Sequence, residues 1–172
     1  MVVDPEPPFE QWQQLVLRDW RGERAHFRGA AHSIYFGGGT PSLVPVRQIE
    51  SILTHIPQAD TAERTLEANP GDLSYAQLFQ LHTVGINRLS LGVQTFQEKF
   101  ARILGRGTSI ALAEEMVDAV KSIDFDSWSL DLMFGLPEQS LSDLEYDLRV
   151  LERHHPPHVS LYGLTYEPGT PF

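Results

Sequence analysis

The stretch Ser33-Ile34-Tyr35-Phe36-Gly37-Gly38-Gly39-Thr40-Pro41-Ser42 decides how the chain is read. A short apolar run that stops at three glycines is a buried strand. Its end brings bare backbone close to whatever lies there, because glycine has no side chain to hold a ligand away. The next apolar residues, Val46, Ile49, Leu53 and Ile56, recur at helical spacing until Pro57, so strand passes to helix. Upstream, Phe9, Trp12, Val16 and Trp20 keep the same spacing and predict an amphipathic helix ending near Arg21-Gly22.

Outward from this unit the alternation repeats. Further strands are predicted at 65–68, 88–94, 127–134 and 159–164, and helices at 75–84, 97–104, 110–122 and 141–153. The last helix carries Leu141, Leu144, Leu148 and Leu151 in register. Repeated βα units require a parallel sheet, which a barrel or an open doubly wound sheet would satisfy. At 172 residues a single domain is expected, with a first helix and lead-in over 1–32 and five βα units over 33–172. It ends directly after its last strand.

Composition narrows the function. A formal charge of -10, with 23 acids against 13 Lys plus Arg, opposes the phosphate neutralisation on which nucleic-acid binding depends. No nucleic-acid partner is expected, although a helix N-terminus or a local arginine can still hold one small anion. No run approaches the roughly 20 apolar residues that span a bilayer. The start, Met1-Val2-Val3-Asp4-Pro5-Glu6, has acid and proline where an export signal is basic and then apolar, so the cytosol is the expected compartment. The sequence contains no cysteine, hence no disulfide and no thiolate to hold zinc or an iron-sulfur cluster.

Strand parity points to a site. Side chains alternate across a strand, so residues two apart share a face. In 88–94, Leu89, Leu91 and Val93 take one face while Ser90, Gly92 and Gln94 take the other. The same split sends Asp131 opposite Trp128, Leu130 and Leu132, and Glu67 opposite Leu66 and Ala68. A lone buried carboxylate is usually the satisfied partner of an N–H or an arginine. Three polar groups of matching parity, beside the glycines that end a fourth strand, argue instead for one shared site at the carboxyl ends of parallel strands, where ligands bind in such folds. Asp131 lies a few residues before Gly135 and is expected to sit deeper than the other two.

Other features carry less. Arg106 stands between Gly105 and Gly107, ahead of a helix that Thr108 or Ser109 would cap. Spacing alone makes it a solvated loop arginine, although guanidinium is also a bidentate clamp for carboxylate. His154, His155 and His158 precede the last strand, at the end of the sheet opposite the proposed site, and are not read as metal ligands. Gly37-Gly38-Gly39 lacks the lysine of a phosphate-binding P-loop, and neither Gly-x-Gly-x-x-Gly nor Gly-x-Ser-x-Gly occurs.

Read in order, Tyr35 to Ser42, Leu66-Glu67-Ala68-Asn69-Pro70-Gly71, Gly85 to Phe96, Leu104-Gly105-Arg106, Ser129 to Pro137 and Ser160 to Pro171 resemble the radical SAM proteins of the oxygen-independent coproporphyrinogen III oxidase group, and within it the HemW branch of haem chaperones. The resemblance implies an incomplete (β/α)6 partial barrel with parallel strands, lacking the first strand. It implies S-adenosylmethionine across the carboxyl ends of the strands, with Gly38, Gly39 and Thr40 bordering its methionine part and Glu67 on the ribose hydroxyls. Gln94, Arg106 and Asp131 match further positions that contact S-adenosylmethionine in the family.

The family's first strand carries three closely spaced cysteines that ligate a [4Fe-4S] cluster, and a later domain bears the chaperones' haem contacts. Neither is expected in this chain. The resemblance therefore implies S-adenosylmethionine binding without radical chemistry, no catalytic residue and no metal ligand. The alternative is a longer parent protein, either a haem chaperone or, with the cysteine strand supplied upstream, an active porphyrinogen oxidoreductase.

Overall fold

The computed structural model describes residues 7–106 and 109–169, and Thr108, one of the two expected helix caps, lies outside them. Five strands, β1 (Ala31–Phe36), β2 (Gln58–Ala68), β3 (Arg88–Gln94), β4 (Ser127–Phe134) and β5 (His158–Gly163), form one sheet in sequential order. Every pairing is parallel. Among the described residues six α-helices accompany them: α1 (Phe9–Glu23), α2 (Val46–His55), α3 (Tyr75–Thr83), α4 (Glu98–Ile103), α5 (Ile110–Ser122) and α6 (Leu141–His154). The sheet curves as a half-barrel, β1 and β5 each pairing on one side among the described residues.

The core lies between the sheet and its helices. Leu66, Leu89, Leu91 and Leu130 have no exposed surface, and Ile49, Leu78, Leu81 and Val117 meet them from α2, α3 and α5. Each such side chain contributes about 1.5–3 kcal/mol by leaving water. Helix starts are chemically marked. Ser74 accepts from the Gln77 N–H while Gln77 accepts from the Ser74 N–H, and Ser140 exchanges the same pair of bonds with Asp143. Ser109 caps α5 by accepting from Leu112 N–H.

The structure departs from the sequence reading in three places. β2 starts at Gln58 rather than Thr65, because its polar first half pairs with β1 through Ala31 and Gln58 before a register shift. In α1 the buried residue is Leu17, beside the expected stripe; Val16 of the stripe packs against the core half-buried, and Trp12 borders a groove of about 570 Å³ between α1, α2 and β1. In α6 only part of the leucine stripe meets the core, Leu151 packing against it and Leu144 being half-buried. Leu141 and Leu148 are exposed, and the buried positions are Asp147 and Val150.

Candidate functional site

At the carboxyl ends of β1–β5, on the side of the sheet away from the helices, lies a polar cleft of about 260 Å³. Glu67, Gln94, Arg106, Asp131 and Gly39 all line it, so five of the seven residues singled out from the sequence meet there. The other two, Gly38 and Thr40, line the adjoining apolar groove. Gly38 is nonetheless tied to the cleft, since its N–H donates to Glu67 Oε2 at 3.1 Å. The left-handed backbone at Gly38 and Gly39 (φ 79° and 63°) turns the loop here, a conformation that glycine adopts without steric penalty.

Glu67 is oriented from two sides. The Tyr35 hydroxyl donates to its Oε1 at 2.6 Å, opposite the Gly38 contact. Burial and this carboxylate push the Tyr35 phenol above its usual range, so it stays a donor. A carboxylate oxygen has room for a second donor, which leaves Glu67 able to accept from a ligand diol.

Asp131 is reached by the Ser90 hydroxyl, 3.2 and 3.0 Å from its two oxygens, and Ser129 Oγ lies 2.9 Å from Ser90. Burial pushes the Asp131 carboxyl above its usual range, hydroxyl bonds from Ser160 and Ser90 oppose this, and nearby Glu67 adds to it. The register corrects its expected depth relative to Glu67. Glu67 pairs with Ser90 and Ser90 with Ser129, so Asp131 stands two residues nearer the carboxyl end than the row of Glu67, whereas Gln94 pairs with Leu132 and Asp131 is one residue deeper than it, as expected.

Gln94 reaches the cleft by an unexpected route. Three residues of β3 span the distance from Leu91 to Gln94, while β4 uses two from Leu130 to Leu132. Gln94 is left-handed, φ 70°, and its amide lies over Gly92, where an added Cβ would stand 3.1 Å from Nε2. Gln94 is only 9% exposed, and its Oε1 has no partner among the described residues. A buried acceptor without a donor is costly and marks a place for one.

Arg106 leaves the solvated loop that spacing suggests and turns into the cleft, its Nη1 donating to Asn69 Oδ1 at 2.5 Å. Asn69 Nδ2 and the Ser42 hydroxyl both donate to Asp72 Oδ2, at 3.1 and 2.6 Å, which joins the loops after β1 and β2 to the arginine. Asn69, Ser90 and Tyr162 also line the cleft and were not singled out. The parity of Glu67 and Asn69 and of Ser160 and Tyr162 was the available signal.

The histidines near β5 take separate places. His154 stacks on Phe96 with ring centroids 5.6 Å apart, His155 closes α6 in the left-handed conformation, and His158 begins β5. Among the described residues no helix is long and apolar enough to cross a membrane.

Comparison with known proteins agrees with this architecture. The family profile described as the radical SAM superfamily matches residues 16–151. The heme chaperone HemW of Escherichia coli (strain K12) is 38% identical over 172 residues, covering 97% of this chain and 46% of that protein. HemW of Buchnera aphidicola subsp. Schizaphis graminum is 41% identical over 145 residues, 82% of this chain and 38% of its own length. The solved coproporphyrinogen III oxidase HemN of Escherichia coli, described as a radical SAM enzyme, superposes with a TM-score of 0.89 at 24% identity over 98% of this chain and 40% of that one. The chain thus spans less than half the length of these relatives.

Proposed function

Because the chain belongs to the radical SAM superfamily, we propose that the polar cleft binds S-adenosylmethionine and that the chain is the ligand-binding core of a HemW-like protein of haem or porphyrin metabolism. The observation that carries this reading is the meeting of Glu67, Gln94 and Asp131 in one cleft with Arg106 beside them. These acceptors suit a ligand rich in donors. S-adenosylmethionine offers an ammonium, a ribose diol and an adenine amino group, and its sulfonium adds positive charge. Its carboxylate would pair with the Arg106 guanidinium. Glu67 would take the ribose hydroxyls, Gln94 and Asp131 would accept further donors, and Gly38, Gly39 and Thr40 would border the methionine part.

The residues do not fit a [4Fe-4S] cluster. Such clusters are held by cysteine thiolates, and these 172 residues contain none. No radical step is therefore assigned to this chain. Haem handling, which the HemW relatives carry in their name, is proposed for the whole protein, with the cytosol as its compartment.

Calorimetric titration of the chain with S-adenosylmethionine tests the proposal. Saturable heat is expected, and Glu67→Ala should weaken affinity by about ten-fold or more through loss of a charged acceptor. An absence of binding at millimolar ligand, or equal affinity of the variant, would overturn it.

A further inference from the structure

The segment just beyond Gln94 is gripped by α6, a helix that contributes nothing to the cleft wall. The grip begins with a buried carboxylate. Thr95 and Phe96 are 1% and 3% exposed, and both donate to Asp147. The Thr95 hydroxyl reaches Oδ2 at 2.8 Å and the Phe96 N–H reaches Oδ1 at 2.9 Å. Asp147 itself has no exposed surface. Further along, Gln97 Nε2 donates to the Asp143 carbonyl at 2.9 Å, and Lys99 Nζ lies 2.5 Å from the Asp143 carboxylate.

Two facts connect this grip to the site. Gln94 closes a bulge, β3 carrying one extra residue between Leu91 and Gln94, and bulges next to binding sites serve to re-aim a side chain. It is also left-handed, a conformation that only a few per cent of residues with side chains adopt and that persists where the surroundings impose it. Both bonds from Asp147 fall on the two residues immediately after it.

We infer that Asp147 is a positioning residue for the cleft: its carboxylate fixes the Thr95-Phe96 segment and so keeps Gln94 left-handed, with its side chain held in the cleft wall. The inference rests on the reading of the cleft given above, but it has a test that needs no ligand. A left-handed residue gives a strong intraresidue cross-relaxation between its amide and α protons. In the labelled 172-residue chain Gln94 gives this signal. Asp147→Ala loses it, and Asp147→Asn keeps it, because the amide can still accept from Phe96 N–H and donate to the Thr95 oxygen.

Affinity for S-adenosylmethionine then follows the population of the competent conformer, falling about ten-fold in Asp147→Ala and little in Asp147→Asn. In a Gln94→Ala background the loss from Asp147→Ala disappears, as coupling through one residue requires. Where Asp147→Ala fails to fold, Thr95→Val removes one of the two bonds and gives a smaller change with the same dependence on Gln94. Retention of the left-handed signal in Asp147→Ala, a Thr95→Val signal identical to the parent's, or losses that simply multiply with that of Gln94→Ala, overturns the inference. If the parent chain binds no S-adenosylmethionine, the functional proposal falls while the cross-relaxation result still decides the role of Asp147.

Discussion

The two faces of β3 divide apolar packing from polar contacts. On the helix side Leu89, Leu91 and Val93 are buried against other apolar side chains; on the other side Ser90, Gly92 and Gln94 meet hydroxyls, carboxylates and an amide. One seven-residue strand thus carries stability on one face and ligand chemistry on the other. Substitutions on the first should change melting and leave affinity alone, and substitutions on the second should do the reverse.

The largest effect belongs to the apolar face. Leu91→Ala should destabilise by about 3 kcal/mol in urea titration, since it opens a cavity in a fully buried position. The affinity of the folded fraction for S-adenosylmethionine should not move; a parallel loss would break the separation. Gly92→Ala is the converse. Its Cβ would stand 3.1 Å from Gln94 Nε2 and 3.3 Å from Asn69 Oδ1, so two cleft side chains must yield. About a ten-fold loss of affinity is expected with a stability change of about 1 kcal/mol or less, because both neighbours are side-chain ends.

Smaller effects sharpen the contrast through pH. The Asp131 carboxyl is raised by burial, so its contribution to stability is full below the unfolded value of 3.8 and is lost as pH rises through the folded one. Asp131→Asn should therefore be more stable than the parent at neutral pH while binding worse, the gap in stability closing in acid. His154 has the opposite sign. Burial lowers its pKa, so stability is full above 6.5 and declines as pH falls through the folded value. Replacing His154 by Gln should flatten that decline and leave affinity unchanged, the smallest shift of the set.

These contrasts also show what a sequence can disclose. Alternation in 88–94 and 127–134 assigns faces correctly, because each strand has one face on helices and the apolar pattern records it. The bulge at Gln94 escapes such reading: it keeps the residue order and changes only the pairing. α6 misleads for a different reason. Its leucines form a good stripe, but the helix turns Asp147 inward because the end of β3 supplies two donors that need an acceptor. Arg106 is invisible from spacing, as its direction is set by Asn69 on another loop. Tertiary partners decide all three, and none is local in sequence.

The sheet has two open sides, along β1 and β5, each hydrogen-bonded to one neighbour among the described residues. Their outward rows of N–H and C=O groups are templates for any extended chain that arrives in register. Concentration thereby becomes a structural variable. At high protein concentration the edges can recruit each other, and light scattering should rise before any loss of helical signal, with the excess of acidic charge acting as the brake.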